Sequence, residues 1–458
     1  MTAFEDYIAA LRGKRVAVMG VGVSNTPLLR LLAAAGADVT ACDKKTEQQL
    51  GEVAGELRGL GVRLCTGENY LDGLAQSGAE IVFRTPGMRP DLPELERAKA
   101  RGAVLTSEME VFFSVCPCPI IAITGSDGKT TTTTIIAEML KAAGRKVWLG
   151  GNIGAPLLDR APEMAEGDIC VLELSSFQLM TMKQSPHIAV VTNLAPNHLD
   201  VHRDMEEYID SKRNIFRHQG PDDVLVLNLD NDITRAFAGE AKGTVRFFSR
   251  QGKAESGVQL EGESIAANGR EIMRRDDIRI PGDHNVENMM AACAALLDLV
   301  PFDVMRDVAR QFAGVEHRIE FVREIGGAKW YNDSIASSPT RAIAGLKCFG
   351  GNIILIAGGY DKHIPFDGLG REIADRVGTL LLCGATADKI EKAVRVCGGK
   401  TRIERFDTLE DAVRAAYSLA GAGDTVLFSP ACASFDQFPN FMKRGQRFKQ
   451  LVLALPEN

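Results

Sequence analysis

Short apolar runs separated by longer stretches of helical periodicity recur along almost the whole chain, and that alternation admits few folds. "RVAVMG", "ADVTAC" and "AEIVFR" come first, "PIIAITG", "DICVLELS", "HIAVVTNL" and "DVLVLNL" follow, and "NIILIAGG", "TLLLCG" and "DTVLFSP" close the series. Strands that alternate with helices pair in parallel, with the helices crossing over the sheet faces, so the expected class is α/β with mostly parallel sheets. The chain has 458 residues. A single core does not extend that far, and about 150 residues per domain points to three. The pattern breaks near Ser107 and again at Gly314, which predicts domains over 1–107, 108–314 and 315–458.

Charge and cysteine usage exclude several function classes. With 53 Lys and Arg against 60 Asp and Glu, the net charge is -7, opposite in sign to the basic surface that a nucleic-acid binder needs. The N-terminal stretch "MTAFEDYIAALRGKRVAVMG" mixes acids and bases before its first strand and lacks a signal-peptide core. No apolar run approaches membrane-spanning length. The ten cysteines are scattered, and the one close pair, Cys116 and Cys118 around Pro117, lacks the CxxC spacing of a metal site. Buried reduced thiols in a cytoplasmic protein are the expected state.

Three glycine-rich loops end strands. In the first, Gly20-x-Gly22 precedes a helix and Asp43 ends the next strand, about where a ribose-binding acid stands in dinucleotide folds. Asn25 replaces the third glycine of that fingerprint, so the helix is expected to sit less close to the sheet. A nucleotide diphosphate on the helix N-terminus fits better than a nicotinamide dinucleotide, because exposed N–H groups and the helix dipole favour anions there. The second loop, "ITGSDGKTTTTT", ends in Gly-Lys-Thr but carries Ile123 where a full-length phosphate loop has its first glycine. Gly125 and Gly128 admit phosphate oxygens to backbone N–H groups, Lys129 reaches terminal phosphates, and the Thr130 hydroxyl is placed for Mg²⁺. A lysine at the positive end of a helix dipole is unfavourable unless an anion is present. The threonine run from Thr130 to Thr134 is a poor helix former, which favours a local function over helix stability. The third loop, "LIAGGYDKHIPFDGL", reads equally as a binding loop or a tight turn.

A short Gly-x-x-Gly-Lys-Thr loop followed in order by "GGNIG", "LELSSFQL", "NHLDVH", "YIDSKRNIF", "GDHNVENMMAA", "EHRIE", "NDSIASSP" and "SPACASFDQFPNF" resembles the Mur ligases, and within them the D-glutamate-adding branch. The resemblance spans essentially the whole chain. It implies a Rossmann-like N-terminal domain, a central P-loop ATPase-like domain and a Rossmann-like C-terminal domain. It also implies an ATP-dependent, Mg²⁺-requiring amide ligase of peptidoglycan precursor synthesis, cytoplasmic and monomeric. Its substrates would be UDP-N-acetylmuramoyl-L-alanine and D-glutamate. The chemistry is reasonable on general grounds: a carboxylate is not electrophilic, but its acyl phosphate has a good leaving group that an incoming amine can displace.

Carried over residue by residue, the resemblance puts Gly125, Ser126, Asp127, Gly128, Lys129, Thr130 and Thr131 on the ATP phosphates, with Thr130, Glu173, His198 and Lys212 about the metal ions. Alone, His198 beside a Pro-Asn turn reads as a structural hydrogen-bonder and Lys212 as a solvated helical lysine; the order of the motifs reverses both readings. An ammonium does not bind Mg²⁺, so the resemblance further implies that Lys212 is carbamylated. Asn285 and Asn288 match adenine-binding asparagines, and Arg318 with Asp333 matches a pair near the ATP ribose and phosphates. Val23, Ser24, Asp43, Lys44, Thr85 and Gly87 match a UDP-sugar site in the first domain, with Asn152, Ser175 and Gln178 reaching it from the second. Ser434 and Phe441 match positions near the D-glutamate carboxylates. Some relatives carry a lysine where this chain has Ile335, which leaves Lys362 as the expected cationic contact, with Arg341 reading either as a substitute or as a solvated helix position. Sibling ligases for other amino acids and folate-polyglutamating relatives are the nearest alternatives; the Asp-Asn-Pro-Arg motif of the diamino-acid enzymes is absent. A nucleotide-binding protein without catalysis is disfavoured by the joint presence of Lys129, Thr130, Glu173, His198 and Lys212.

Overall fold

A computed structural model describes residues 2–22, 24–195, 201–252, 254–362 and 364–457. Three sheets follow one another along the chain. The first holds β1 (Arg15–Met19), β2 (Asp38–Asp43), β3 (Arg63–Thr66), β4 (Ile81–Phe83) and β5 (Val104–Thr106), all parallel in the order β3-β2-β1-β4-β5. Strand order reverses between β1 and β4, and a crevice for ligands forms at such a point in open α/β sheets. The loop after β1, with Gly20, and the loop after β4, with Thr85, meet there: a Cβ on Gly20 would lie 3.5 Å from that of Thr85.

The second sheet has nine strands, in the order β14-β13-β12-β11-β10-β9-β6-β8-β7. They are β6 (Ile120–Thr124), β7 (Val147–Gly151), β8 (Ile169–Glu173), β9 (Ile188–Val191), β10 (Val224–Asn228), β11 (Thr244–Ser249), β12 (Gly257–Glu261), β13 (Ser264–Ala267) and β14 (Arg270–Arg274). The pairs from β7 through β12 are parallel, and β12-β13-β14 is an antiparallel extension. Every residue of β6, β8 and β9 is buried, which is why these strands read as continuous apolar runs: parallel strands are covered on both faces. β6 lies between β8 and β9, so the loop leaving it is flanked by the C-terminal ends of both.

The third sheet, in the order β15-β16-β20-β17-β18-β19, contains β15 (Glu320–Ile325), β16 (Ala328–Asn332), β17 (Ile353–Ala357), β18 (Val377–Cys383), β19 (Arg402–Phe406) and β20 (Thr425–Phe428). Only the β15–β16 pair is antiparallel. The chain is thus α/β with mostly parallel sheets and three sheet domains. By packing, the first two sheets share one compact unit, made of the chain up to Arg275 with Glu287–Val308, and Asp276–Val286 joins Ala309 onward in a second. The helix Asp283–Leu296 therefore contributes residues to both units, an exchange that the alternation of strands and helices does not reveal. Among the described residues no helix is long and apolar enough to cross a membrane.

Candidate active site

The helix Lys129–Ala142 starts at the end of the loop that leaves β6. Its five threonines are poor helix formers, and tertiary packing compensates: Ile135, Ile136, Ala137, Met139 and Leu140 are all fully buried. Gly125 and Gly128 both have positive φ, and a Cβ at either would collide with a neighbour, 1.9 Å from Thr192 Oγ1 and 2.2 Å from Asn288 Oδ1 respectively. The loop is held from β9: the Ser126 N–H donates to the Asn193 carbonyl at 2.8 Å, and the Asp127 N–H donates to Asn193 Oδ1 at 3.0 Å. Thr192 donates to the Asp127 carbonyl at 2.6 Å, and the hydroxyls of Ser126 and Tyr208 lie 2.9 Å apart. Lys129 arches over this loop and donates to the carbonyls of Gly125 and Ser126, both at 3.0 Å. The loop's carbonyls are neutral acceptors, which an anionic phosphate oxygen would outcompete for this ammonium.

Glu173 ends β8 beside the loop and is 2 % exposed. Thr130 donates to its Oε2 at 2.7 Å and Asn152 to its Oε1 at 2.8 Å. A buried carboxylate and a hydroxyl on rigid element ends are hard oxygen donors suited to Mg²⁺. Lys212, on the helix Met205–Arg217, is also buried and donates to Thr124 Oγ1 and to the Gly125 carbonyl, both at 3.0 Å, with Tyr208's ring 5.0 Å away. Burial, aided by the Lys129 charge, pushes its ammonium well below the usual lysine range, against smaller opposing effects of Glu173 and Asp127. The structure therefore brings together Lys129, Thr130, Glu173 and Lys212, whose sequence separation is up to 83 residues. His198 and Val23, both expected at the site, lie outside the described residues.

In the first sheet, Asp43 is occupied by backbone: its Oδ2 accepts from the Val21 N–H at 2.5 Å and its Oδ1 from the Lys45 N–H at 2.7 Å. Asn25 is buried and donates to the Met19 and Gly20 carbonyls at 3.1 and 3.0 Å, so two hydrogen bonds tie this helix to β1 where a third glycine would have packed. Ser24, Lys44 and Gly87 are exposed around the same crevice and Thr85 is half-buried. Ser175 and Gln178 form a capping box for the short helix Ser176–Leu179, the local structure that Ser-x-x-Gln spells.

The adenine candidates are buried at the start of the helix Asp283–Leu296. Asn285 donates to the Pro281 carbonyl at 2.7 Å, and Asn288 accepts from Thr132 at 3.3 Å. Within the other unit, Asp333 accepts from Ser429 at 2.7 Å and from the Ile319 N–H at 3.3 Å, and burial raises its carboxyl to about 7. Arg318 is half-buried on the turn before β15, Lys362 is exposed, Ser434 is buried and Phe441 opens the helix Phe441–Leu453. Arg341 is exposed, with Nη1 3.4 Å from the Ile335 carbonyl.

The raised Asp333 carboxyl has a consequence for stability. Between about pH 4 and 7 the folded chain holds a proton there that the unfolded chain has released, so this stabilisation is complete at acid pH and is lost as the pH rises through 7. At about 1.4 kcal/mol per pH unit it amounts to a few kcal/mol. The change in melting temperature between pH 4.5 and pH 7.5 should be less downward, or more upward, in Asp333→Asn than in the wild type. Identical differences in calorimetry would show that the carboxyl is ionised throughout.

Five residues that shape the candidate site regions were not legible in the sequence. Thr192 and Asn193 carried a weak signal as the polar end of "HIAVVTNL", the strand beside β6. Tyr208 stands four residues before Lys212, hence on the same helix face. Arg84, 1 % exposed, carried none: it donates to the Pro86 and Met88 carbonyls at 3.0 and 2.7 Å and to the Phe177 carbonyl at 3.0 Å, tying the Thr85 loop to the segment after β8. In the second unit Arg444 does the same for the loop after β20, donating to the Cys432 and Ala433 carbonyls and the Ser334 carbonyl, each at 2.9 Å.

Comparison with known proteins places the chain among ligases. The Mur ligase middle domain matches residues 123–296, and the Mur ligase glutamate ligase domain matches 317–432. The UDP-N-acetylmuramoylalanine--D-glutamate ligase of Acetivibrio thermocellus is 55% identical over 464 residues, covering 99% of each chain. The protein of the same name from Clostridium novyi is 53% identical, covering 98% of each. Among solved structures, the UDP-N-acetylmuramate-alanine ligase of Thermotoga maritima aligns with a TM-score of 0.58 at 18% identity over 96% of this chain and 99% of its own. MurF from Acinetobacter baumannii aligns with a TM-score of 0.58 at 16% identity, over 97% and 92%. At such identities the structural matches speak for the fold alone.

Proposed function

This chain belongs to the Mur ligase family of ATP-dependent amide ligases, and from that premise we propose that it joins D-glutamate to UDP-N-acetylmuramoyl-L-alanine in the cytoplasm as a monomer. The choice of D-glutamate is supported by full-length relatives above half identity that bear that name. The observation that carries the chemistry is the convergence of Lys129, Thr130, Glu173 and Lys212 on one loop at the C-terminal ends of β6 and β8.

The loop from Gly125 to Thr131 and the Lys129 ammonium receive the ATP phosphates, through backbone N–H groups other than those of Ser126 and Asp127, which Asn193 holds. Lys129 leaves the loop carbonyls for the β- and γ-oxygens, where charge develops as the phosphoryl group moves to the sugar-linked carboxylate. The acyl phosphate then loses inorganic phosphate to attack by the D-glutamate amine. Thr130, Glu173 and His198 would hold Mg²⁺, which when bound neutralises phosphate charge. Lys212 joins them once carbamylated, a modification that needs the neutral amine which its burial favours. Asn285 and Asn288 take the adenine, and Arg318 with Asp333 the ATP ribose and phosphates. Ser24, Asp43, Lys44, Thr85, Gly87 and Val23 take the UDP-sugar with Asn152, Ser175 and Gln178, and Lys362, Ser434 and Phe441 take D-glutamate. This division of labour corresponds to domains over 1–107, 108–314 and 315–458.

Phosphate release should depend on both UDP-N-acetylmuramoyl-L-alanine and D-glutamate. Equal turnover with L-alanine or a diamino acid, or turnover without the UDP-sugar, would move the chain to another branch of the family.

A further inference from the structure

The cysteines hold an arrangement that their spacing in sequence concealed. Cys116 follows the helix Glu108–Val115, Cys118 precedes β6, and Cys170, 52 residues later, lies in β8. Because β8 pairs with β6, with Ile120 opposite Cys170, the third thiol is delivered beside the other two. The Sγ atoms stand 3.6 Å apart for Cys116 and Cys118, 3.5 Å for Cys116 and Cys170, and 3.3 Å for Cys118 and Cys170. All ten cysteines are free thiols.

We propose that Cys116, Cys118 and Cys170 form a binding site for a thiophilic divalent cation, Zn²⁺ in the first instance, separate from the nucleotide loop. Sulfurs about 2.3 Å from a tetrahedral Zn²⁺ are about 3.8 Å from one another, so the three thiols need to part by only a few tenths of an ångström to admit the ion. Thiolate is the donor that selects zinc over the hard Mg²⁺ of the ligase reaction. Each S–H that becomes a Zn–S bond gives its proton to solvent, so loading releases protons and leaves a complex of net charge -1. Cys116 and Cys118 also line an open cavity of about 350 Å³ together with Lys183, His187 and His218. That cavity is the entry path and the direction of the fourth coordination position, and Lys183 supplies the compensating charge. His187, whose Nδ1 lies 2.9 Å from Asp223 Oδ1, lines the same cavity.

The position gives the ion a structural task. Cys116-Pro117-Cys118-Pro119 connects the helix after the first sheet to the first strand of the second, and an ion held in common with Cys170 pins this connection to β8. The thiols lie at the N-terminal ends of β6 and β8, whereas the nucleotide loop leaves β6 at its C-terminal end, so loading stabilises the chain without occupying the ATP site.

The test uses the full-length, reduced, chelator-stripped chain, titrated with Co²⁺ and then Zn²⁺. One equivalent of Co²⁺ should produce sulfur-to-cobalt charge-transfer absorption, one equivalent of Zn²⁺ should abolish it, and the melting temperature should rise on loading. Cys116→Ser, at the half-exposed member, should fold normally and bind Zn²⁺ more weakly by at least the roughly ten- to hundred-fold that loss of an outer-sphere partner costs; Cys170→Ser, in the core, should weaken the charge-transfer band in proportion to the lost Co–S bond. Absence of that band in the wild type, an unchanged Zn²⁺ affinity in Cys116→Ser, or a disulfide among the three thiols in a chain that takes up no metal would each overturn the proposal.

Discussion

Lys129→Ala should lower kcat for D-glutamate-dependent phosphate release by about a hundred- to a thousand-fold, the range for removing one charge-stabilising donor from a preorganised site. The loop should survive the change. The Gly125 carbonyl keeps Lys212 as a donor at 3.0 Å, and the turn remains held by the Ser126 and Asp127 N–H groups on Asn193. The Gly125 and Ser126 carbonyls both lose the Lys129 ammonium, but Gly125 keeps that of Lys212, so the melting temperature should stay within a few degrees of the wild type. The substitution also removes the charge that helps depress Lys212, so Lys212 in the variant should hold its proton more tightly and need more bicarbonate for a given extent of modification. A variant that keeps most of its kcat would show that this short loop does not cradle the reacting phosphates.

Lys212→Ala should be nearly inactive, with a loss of about a hundred-fold or more, because it removes a group proposed to hold the metal beside the phosphates. Stability should change little: an amine that is 1 % exposed carries a desolvation cost, and its loss offsets the cavity left by the side chain. Acetate, a small carboxylate that can enter that space, should restore more activity than bicarbonate does. The wild type should lose activity in CO₂-depleted buffer and recover it when bicarbonate returns. An unchanged wild-type rate on depletion, together with normal turnover in Lys212→Ala, would leave the lysine with the loop-bracing role of its two hydrogen bonds to Thr124 and Gly125.

The amino-acid order alone carried the α/β class, the succession of three sheets and the tight glycine loop after β6, because these are local or periodic properties. An apolar run flanked by helical periodicity becomes a doubly covered parallel strand wherever it falls, and glycines at 125 and 128 open a loop by their backbone freedom. The order of motifs also indicated that Lys212 is more than a solvated lysine, although nothing local to "YIDSKRNIF" requires it to be buried.

Tertiary structure decided which distant groups share one environment. It placed Lys212 under the loop with its ammonium destabilised, occupied Asp43 with the Val21 and Lys45 N–H groups, and buried Arg84 across two sheets to order the Thr85 loop. It also set Cys170 against a pair whose own spacing excluded a metal site. Strand pairing order is the physical reason. β8 lies beside β6 although β7 comes between them in the chain, and that choice is made by the cooperative burial of whole sheets, so no residue near Cys118 or Lys129 records that Cys170 or Glu173 will be its neighbour.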